Sequence, residues 1–289
     1  MSCEKNKIKK KTLYLVATPV GNLADISERA LKVLAGVDFI AAEDTRNSLR
    51  LLAHFGISKP LVSYFEHNKR ERGEEIAARI EAGESCALVT DAGTPAISDP
   101  GEDLVVLCAQ RGIEVTFVPG ACAFVGALAL SALPSGRFCF EGFLPMNKSN
   151  RAGRISELSA ERRTIILYEA PHKLKKTLKE LAAALGDDRR VSICRELTKI
   201  NEEVMRTTLG AAAEYYSKNE PRGEFVLVVE GASESMSGPP EFTEEAARAA
   251  LAACIEEGMT KTDAVKKVSK EFGAPRQEIY KMTLGIKNT

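Results

Sequence analysis

Residues 12–22 have the sequence TLYLVATPVGN, a short apolar run that ends in a turn containing proline and glycine. Such a run, rich in aromatic and β-branched residues, predicts a buried strand over residues 13–18. Up to about residue 133, similar runs alternate with stretches of helical periodicity, predicted at residues 27–35 and 74–81. This alternation predicts an α/β fold with a parallel sheet and crossover helices. The other predicted strands of this series are residues 39–42, 61–64, 86–90 and 114–118.

The pattern breaks at residues 133–136 (LPSG), and a second series of apolar runs follows. Its predicted strands are residues 138–143, 164–168, 191–195, 204–208 and 224–230. Because little helix separates several of them, we expect this sheet to mix parallel and antiparallel pairs. The predicted organisation is a flexible basic arm (1–11), an N-terminal α/β lobe (12–135), a C-terminal α/β lobe (136–232) and a helical tail (241–289).

The tail follows a segment at residues 233–240 that is rich in serine, glycine and proline and is typical of a linker. A helix is predicted from residue 260, with Ala264, Val265 and Val268 on one face, and a second helix over residues 276–284. The two helices around a glycine-containing turn indicate a helix-turn-helix. Residues 259–289 contain seven Lys or Arg and three Asp or Glu, so this part of the chain is locally basic. The tail is therefore interpreted either as a packing or dimerising unit or as an RNA contact.

The composition limits the class of protein. The 289 residues are 44% hydrophobic and 28% charged, with 40 basic and 40 acidic side chains, which is typical of a folded soluble protein and gives no global signal for nucleic acid. Seven scattered cysteines show no zinc-like spacing, so we predict reduced thiols, no metal and a cytoplasmic location. No apolar run suits a signal or membrane segment.

Three loops follow predicted strands of the first series: residues 18–22 (TPVGN), 91–95 (DAGTP) and 118–121 (VPGA). Ligands bind at this edge of open α/β sheets, and glycines there allow a ligand to approach the backbone closely. Each loop alone is also explained as a tight turn. None contains a dinucleotide or phosphate-loop fingerprint, which disfavours pyrophosphate-bearing cofactors. A nucleoside ligand is the better prediction.

Ordered segments of the chain resemble the tetrapyrrole-methylase superfamily. They are residues 17–26, 41–46 (AAEDTR), 91–95, 99–101 (DPG), 118–120, 138–145, 168–172, 195–199 and 223–226. The resemblance covers residues 12–231. More narrowly, the chain resembles members of the superfamily that methylate a cytidine ribose 2′-oxygen in the decoding region of small-subunit (16S) ribosomal RNA. This resemblance implies a two-lobe enzyme that holds S-adenosylmethionine in a cleft, acts on the small ribosomal subunit and forms a homodimer. Ala170 stands where serine or threonine is common.

The loops and the resemblance together give the predicted cofactor-binding residues. They are Pro19, Gly21, Asp91, Gly93, Thr94, Ser98, Pro119, Gly120, Ala121, Leu144, Tyr168, Glu169 and Leu197. Among them, Asp91 is a suitable hydrogen-bond acceptor for ribose hydroxyls or a positive group.

Glu43, Asp44 and Arg46 are the predicted catalytic residues. A ribose hydroxyl is a poor nucleophile, so a nearby carboxylate should accept its proton. Arg46 would orient a carboxylate or bind an RNA phosphate. The alternative is that these residues only cap the N-terminus of a helix and form an ion pair there.

The predicted substrate-binding residues are His67, Lys69, Arg70, Arg195 and Lys199. The first three lie in a segment with aromatic and basic side chains that suits RNA, although a solvated loop explains it equally. Three functions remain open: an RNA ribose methylase, a methylase of a tetrapyrrole or other small molecule, and a nucleoside-binding regulator without catalysis. The basic tail and the AAEDTR segment favour RNA.

Overall fold

The computed structural model describes residues 7–233, 243–256 and 259–283. Contacts divide the chain into a first unit, Met1–Gly231, and a second unit, Ala232–Thr289. Parts of three predicted segments lie outside the described residues: residues 1–6 of the arm, residues 234–240 of the linker and the end of the last helix at Leu284.

Five parallel strands form the first sheet of the first unit. They are β1 (Thr12–Val16), β2 (Phe39–Ala42), β3 (Leu61–Ser63), β4 (Cys86–Val89) and β5 (Glu114–Val118). Their order is β3-β2-β4-β1-β5, with every neighbouring pair parallel, as predicted. Phe39 and Ala41 enter one apolar cluster, whereas Ile40 and Ala42 enter another. Both faces of β2 are therefore buried, and the central strands β1, β2 and β4 are accordingly almost continuous apolar runs.

Helices accompany this sheet. They are α1 (Glu28–Gly36), α2 (Thr45–His54), α3 (Lys69–Glu81), α4 (Glu102–Gln110) and α5 (Ala123–Leu130), with a 3-10 turn at Leu23–Asp25. Ser27 begins α1, because its side chain accepts a hydrogen bond from the Ala30 N–H at 3.1 Å. Helix α3 begins five residues before the prediction, since its charged first turn carries no apolar periodicity.

The second sheet follows in the same unit. Its strands are β6 (Phe138–Phe143), β7 (Thr164–Glu169), β8 (Arg190–Arg195), β9 (Glu203–Thr208) and β10 (Phe225–Val229), and its helices are α6 (Lys148–Ser159), α7 (Pro171–Leu185) and α8 (Leu209–Lys218). The order is β6-β7-β10-β8-β9. Only β6 and β7 pair in parallel, and the other pairs are antiparallel. The predicted mixed pairing is therefore confirmed.

Helix α5 links the two sheets. It follows β5 of the first sheet, but its buried Ala127 and Leu128 pack on the second sheet, against Ile166 of β7 and Val226 and Val228 of β10. The shared apolar cluster removes surface of α5 and of the second sheet from water, which holds α5 on that sheet. Because only residues 119–122 separate β5 from α5, this packing keeps the end of β5 near the second sheet.

The described part of the second unit, residues 232–233, 243–256 and 259–283, contains three helices around an apolar core of its own. They are α9 (Glu244–Glu256), α10 (Lys261–Phe272) and α11 (Arg276–Met282). Thr260 caps α10 by accepting from the Asp263 N–H at 3.2 Å, and Gly273 ends it in a left-handed conformation. The fully buried Leu251, Val268 and Ile279 come from the three different helices. No helix among the described residues is long and apolar enough to cross a membrane.

Gly231 offers a test of how β10 is held beside the chain that enters β7. A Cβ added at Gly231 would lie 2.0 Å from the Arg162 carbonyl oxygen and 2.7 Å from that of Arg163, both backbone atoms. We expect Gly231→Ala to lower the free energy of unfolding by about 1–3 kcal/mol, because the backbone must shift. Chemical denaturation measures this.

Gly126→Ala is the matched control, since a Cβ at Gly126 in α5 meets nothing within 4 Å. Alanine is the better helix former, so this variant should be as stable as the wild type or slightly more stable. Equal stability of the two variants would contradict the predicted close approach at Gly231.

Candidate active site

The loops after β1, β4 and β5 meet at one edge of the first sheet. The Thr18 N–H donates to the Gly93 carbonyl at 2.8 Å, and the Gly93 N–H donates to the Thr18 carbonyl at 3.0 Å. The Thr94 hydroxyl donates to the Ala121 carbonyl at 3.1 Å. Because β1 lies between β4 and β5, these bonds join the three loops into one surface at the carboxyl edge, where parallel sheets bind ligands.

A cavity of about 390 Å³ opens between this surface and the second sheet. Its volume is in the range of small-molecule sites, roughly 300–1,000 Å³. The first wall includes Glu43, Asp91, Gly93, Thr94, Ser98 and Asp99. The second wall includes Phe143, Tyr168, Glu169, Leu197, Glu224 and Val226.

The second wall presents an aromatic surface. The Tyr168 ring lies 5.1 Å from the Phe140 ring and 5.7 Å from the Phe143 ring, measured between centroids. Its hydroxyl accepts a hydrogen bond from the Phe124 N–H at 3.3 Å, and burial raises the pKa of Tyr168 to about 12. The phenol therefore stays neutral at physiological pH and supplies a flat surface suited to a ring of a ligand.

The cavity is strongly acidic. Its lining contains the five carboxyl groups of Glu43, Asp91, Asp99, Glu169 and Glu224. Among the described residues that line it, none is lysine or arginine. Lys199 pairs with Glu224 and Arg151 lies 3.9 Å from Glu169, so the uncompensated acidic groups are those of Glu43, Asp91 and Asp99. In a partly enclosed site of reduced dielectric, their charge attracts a cation and repels phosphates.

Glu43 and Asp99 form the centre of this charge. The Thr90 hydroxyl donates to Glu43 Oε2 at 3.0 Å and is also a hydrogen-bond partner of Asp99. Burial, followed by the charge of Glu43, raises the pKa of Asp99 to about 6. Because burial and the charge of Glu43 both disfavour its ionised form, Asp99 retains a proton at a pH where an exposed aspartate has lost it.

Asp44, beside Glu43, has a different environment. It caps α2, where its Oδ1 accepts from the Arg46 N–H at 2.8 Å. The Arg46 guanidinium forms two further bonds to the carboxylate, at 3.0 and 2.6 Å, and this pairing lowers the pKa of Asp44 to about 2. A carboxylate of such low pKa is a weak base, and the 84% exposed Arg46 side chain orients Asp44, not Glu43.

Contacts between the two walls close one side of the cavity. The Thr198 hydroxyl donates to the Val20 carbonyl, and the alkyl chain of Lys199 covers Gly21. Gly142, at a bulge in β6, has a φ of 59° and lies so close to Ser98 that an added Cβ would be 2.6 Å from its Oγ. Left-handed backbone at a residue with a side chain, as at Ser98 and Thr198, costs about 1–3 kcal/mol and is concentrated at functional sites.

The predicted cofactor-binding residues fall into three groups. Those that line the cavity are Asp91, Gly93, Thr94, Ser98, Tyr168, Glu169 and Leu197. Pro19 and Gly21 line an adjacent hollow of about 260 Å³ that shares Asp91 with the cavity. Pro119 and Gly120 are exposed and outside the described lining, Ala121 holds Thr94, and Leu144 belongs to the apolar core beneath the second sheet.

Glu169 is held in a buried network. It accepts hydrogen bonds from the Thr177 hydroxyl and, at 2.9 Å, from the Ala170 N–H. Buried Arg151 lies 3.9 Å from the carboxylate and donates to Thr177 at 2.6 Å. These partners anchor the start of α7 at the cavity, where Ala170 provides no side-chain cap.

The predicted substrate-binding residues are not gathered at the cavity. Lys69 forms ion pairs with Glu66 at 2.8 Å and Asp103 at 2.7 Å, while His67 and Arg70 are exposed nearby. These pairs raise the pKa of Lys69, so its charge is already compensated.

The other two basic residues are also paired. Arg195 donates to Glu203 at 3.0 Å. The Lys199 ammonium donates to Glu196 Oε1 at 2.9 Å and to Glu224 Oε2 at 3.1 Å. Because Glu224 lines the cavity, Lys199 lies at the cavity rim. Its position beside Gly21 suits closure of the site better than direct contact with a substrate.

Sequence reasoning missed several cavity residues, of which Asp99, Phe143 and Glu224 are the most informative. Asp99 lies in the DPG segment that carried the family resemblance, but its proximity to Glu43 depends on the tertiary fold. Within the described part of the chain, no group of three or more His, Cys, Asp or Glu is arranged to hold a metal ion.

The family model of the tetrapyrrole (corrin/porphyrin) methylases matches residues 12–213. The chain belongs to this family. Among the relatives of this chain, the following two carry the name ribosomal RNA small subunit methyltransferase I. The protein from Synechocystis sp. is 46% identical over 95% of this chain and 98% of its own length. The protein from Halalkalibacterium halodurans is 45% identical over 94% of each chain.

Solved structures agree with the family's fold. The uroporphyrin-III C-methyltransferase from Thermus thermophilus, crystallised in complex with S-adenyl homocysteine, has a TM-score of 0.54 and 18% identity to this methylase-family chain. The match covers 76% of this chain and 97% of that one. At this identity the likeness supports the fold alone, and the predicted fold class is confirmed.

The opposite pKa shifts of Asp99 and Asp44 predict opposite effects on stability. At pH 7.5, Asp99→Asn should raise the free energy of unfolding, because ionised Asp99 is disfavoured in the folded state. This gain should shrink as the pH falls through about 6 and vanish below about 4, where the unfolded carboxyl is also protonated. Denaturation at a series of pH values measures it.

Asp44→Asn is the contrasting variant, since asparagine retains the helix cap and removes only the charge. The lowered pKa of Asp44 contributes stability that is present above about pH 4 and lost as the pH falls towards 2, so this variant should be less stable at pH 7.5. If Asp99→Asn is also less stable than the wild type at pH 7.5, the proposed environment of Asp99 is wrong.

Proposed function

We propose that this chain transfers a methyl group from S-adenosylmethionine to a cytidine ribose 2′-oxygen in the 16S ribosomal RNA of the small ribosomal subunit. Membership of the family, together with the names of its relatives, supports methylation of small-subunit ribosomal RNA. The family membership and the relatives' names confirm the predicted cofactor, S-adenosylmethionine. The narrower choice of a cytidine ribose 2′-oxygen rests on the resemblance carried by the ordered segments between residues 12 and 231.

The acidic cavity is the observation that carries the proposal. S-adenosylmethionine combines a flat adenine, two ribose hydroxyls and a positive sulfonium. The lining offers an aromatic surface at Tyr168, several carboxylates and no lysine or arginine among its described residues. The residues present therefore fit this cofactor, whereas a pyrophosphate would meet repulsion.

Specific residues would hold the parts of the cofactor. Asp91, which accepts a hydrogen bond from Asn47 Nδ2 at 2.8 Å, keeps further acceptor capacity for hydroxyl or amino groups. Gly93 brings backbone to the cavity, since no side chain separates it from the ligand. Tyr168, Leu197 and Val226 supply apolar contact on the opposite wall.

Glu43 is the residue we propose as proton acceptor. When bound, the cofactor supplies a methyl group already activated by its sulfonium. Glu43 lines the cavity, has one oxygen occupied by Thr90 and leaves the other for a substrate hydroxyl. The neighbouring Asp99, when protonated, adds no second negative charge. Positioning of the reacting groups and exclusion of water supply much of the rate enhancement in such transfers.

The adjacent hollow is the proposed entry for the ribose. It is lined by Pro19, Gly21, Asn47, Arg50 and Asp91 and meets the cavity at Asp91. Exposed Arg50 and Arg46 are suited to backbone phosphates. The homodimer and the cytoplasmic location remain predictions from the sequence.

Transfer of label to ribosomal RNA tests the function directly. Purified 30S subunits lacking the modification, incubated with this protein and methyl-labelled S-adenosylmethionine, should acquire one 2′-O-methylcytidine in 16S RNA, mapped by nuclease digestion and mass spectrometry. Uroporphyrinogen in a parallel reaction represents the alternative of a small-molecule methylase. Label on the tetrapyrrole and none on RNA would reject the proposal.

Two substitutions should separate catalysis from cofactor binding. Glu43→Gln should lower kcat about 100-fold or more with nearly unchanged cofactor Kd, since general base catalysis typically contributes 10²–10⁴-fold. Asp91→Ala should instead raise the cofactor Kd about tenfold through lost hydrogen bonds. Calorimetry and single-turnover kinetics measure the two quantities.

Asp188→Asn, at an exposed turn outside the cavity lining, is the matched control and should change neither quantity. Normal turnover by Glu43→Gln would show that another group accepts the proton. Unchanged cofactor affinity of Asp91→Ala would remove Asp91 from the binding site.

A further inference from the structure

The second unit contains a groove to which the proposed function has so far assigned no role. It encloses about 500 Å³ between α10 and α11. Thr262, Val265 and Lys266 of α10 form one side. Arg276, Gln277, Tyr280 and Lys281 of α11 form the other. The family model ends at residue 213, so it does not cover this groove.

The floor and the walls of the groove differ in character. Val265 is only 5% exposed and belongs to the core of the second unit, so it forms a firm apolar base. Tyr280 is 57% exposed and stands on the turn of α11 that follows Arg276. Neighbouring Ile279 is fully buried, which fixes the helix and therefore the direction in which Tyr280 points.

The groove is positively charged. Lys266, Arg276 and Lys281 line it, and none of its described lining residues is acidic. This is the reverse of the cavity in the first unit. An exposed aromatic ring among cations, with a hydroxyl at Thr262 and an amide at Gln277, offers stacking, phosphate contacts and hydrogen bonds to base edges or 2′-hydroxyls together.

We infer that the groove between α10 and α11 binds single-stranded RNA, with a base stacked on Tyr280 and phosphates held by Lys266, Arg276 and Lys281. The identity of the nucleic acid as RNA rests on the proposed function. An acidic peptide would satisfy the cations but would not use the exposed ring and the amide in this way. Duplex DNA presents stacked bases whose faces Tyr280 cannot reach.

Binding of a labelled oligonucleotide tests the inference. The full chain is titrated into a fluorescein-labelled single-stranded RNA of about 12 nucleotides, a length within the usual range of site sizes, and anisotropy is recorded at several salt concentrations. Tyr280→Ala should weaken binding about tenfold, whereas Tyr280→Phe, which keeps the ring, should stay within about twofold of the wild type. Because Tyr280 is largely exposed, both variants should keep the wild-type circular dichroism.

Charge variants test the phosphate contacts. Lys266→Gln and Lys281→Gln should each lower the slope of log affinity against log salt by about 0.7. Arg248→Gln is the matched control, because it removes one positive charge from the same unit, but from an ion pair with Glu244 at 2.8 Å on α9. Its salt slope should equal that of the wild type.

Three results would overturn the inference. They are wild-type affinity of Tyr280→Ala, equal loss in Arg248→Gln and the groove variants, and tighter binding of poly-glutamate or duplex DNA than of the RNA. Methylation of 30S subunits is scored separately. If the wild type binds RNA through the groove but does not methylate 30S subunits, the proposed function fails and the groove stands.

Discussion

The reciprocal backbone hydrogen bonds between Thr18 and Gly93 are the constraint on which the cavity depends. Ordering a loop residue costs roughly 1–2 kcal/mol in backbone entropy, so glycine- and proline-containing loops at a sheet edge need partners to remain in one arrangement. Here the partner of one loop is the next loop, and Thr94 extends the connection to Ala121. The strand order makes this possible, because β1 lies between the two strands that carry the other loops.

The opposite wall depends on packing more than on hydrogen bonds. Helix α5 follows β5 of the first sheet after four residues and is buried on the second sheet, so the cleft cannot widen without stretching this short connection or exposing the apolar contacts of α5. The Thr198 and Ser98 loops add polar contact at the rim, with backbone strain that the surrounding packing must sustain. The two walls therefore behave as one preorganised site, which reduces the ordering cost of ligand binding.

The central strands of the first sheet were predictable because both of their faces are buried, which leaves almost continuous apolar runs in the sequence. Prediction from the sequence was weaker where the structure depends on contacts between residues that are distant in sequence. The predicted strand ended at residue 18, but β1 ends at Val16 because Thr18 pairs with Gly93 instead. Helix α9 was not predicted as a separate helix. Leu144 matched the family pattern but belongs to a core, whereas the role of Asp99 depends on neighbours that are distant in sequence.

The charge of the cavity also bears on which adenosine compounds the proposed cofactor site would accept. ATP carries the same nucleoside as the methyl donor and the same ring for Tyr168 to contact, but its triphosphate is anionic. Unit charges of like sign 5 Å apart repel by about 3 kcal/mol at an effective dielectric of 20, and several carboxylates act together here. As the proposed cofactor site, the cavity would disfavour the commonest adenine nucleotides of a cell through charge, without a residue dedicated to distinguishing them.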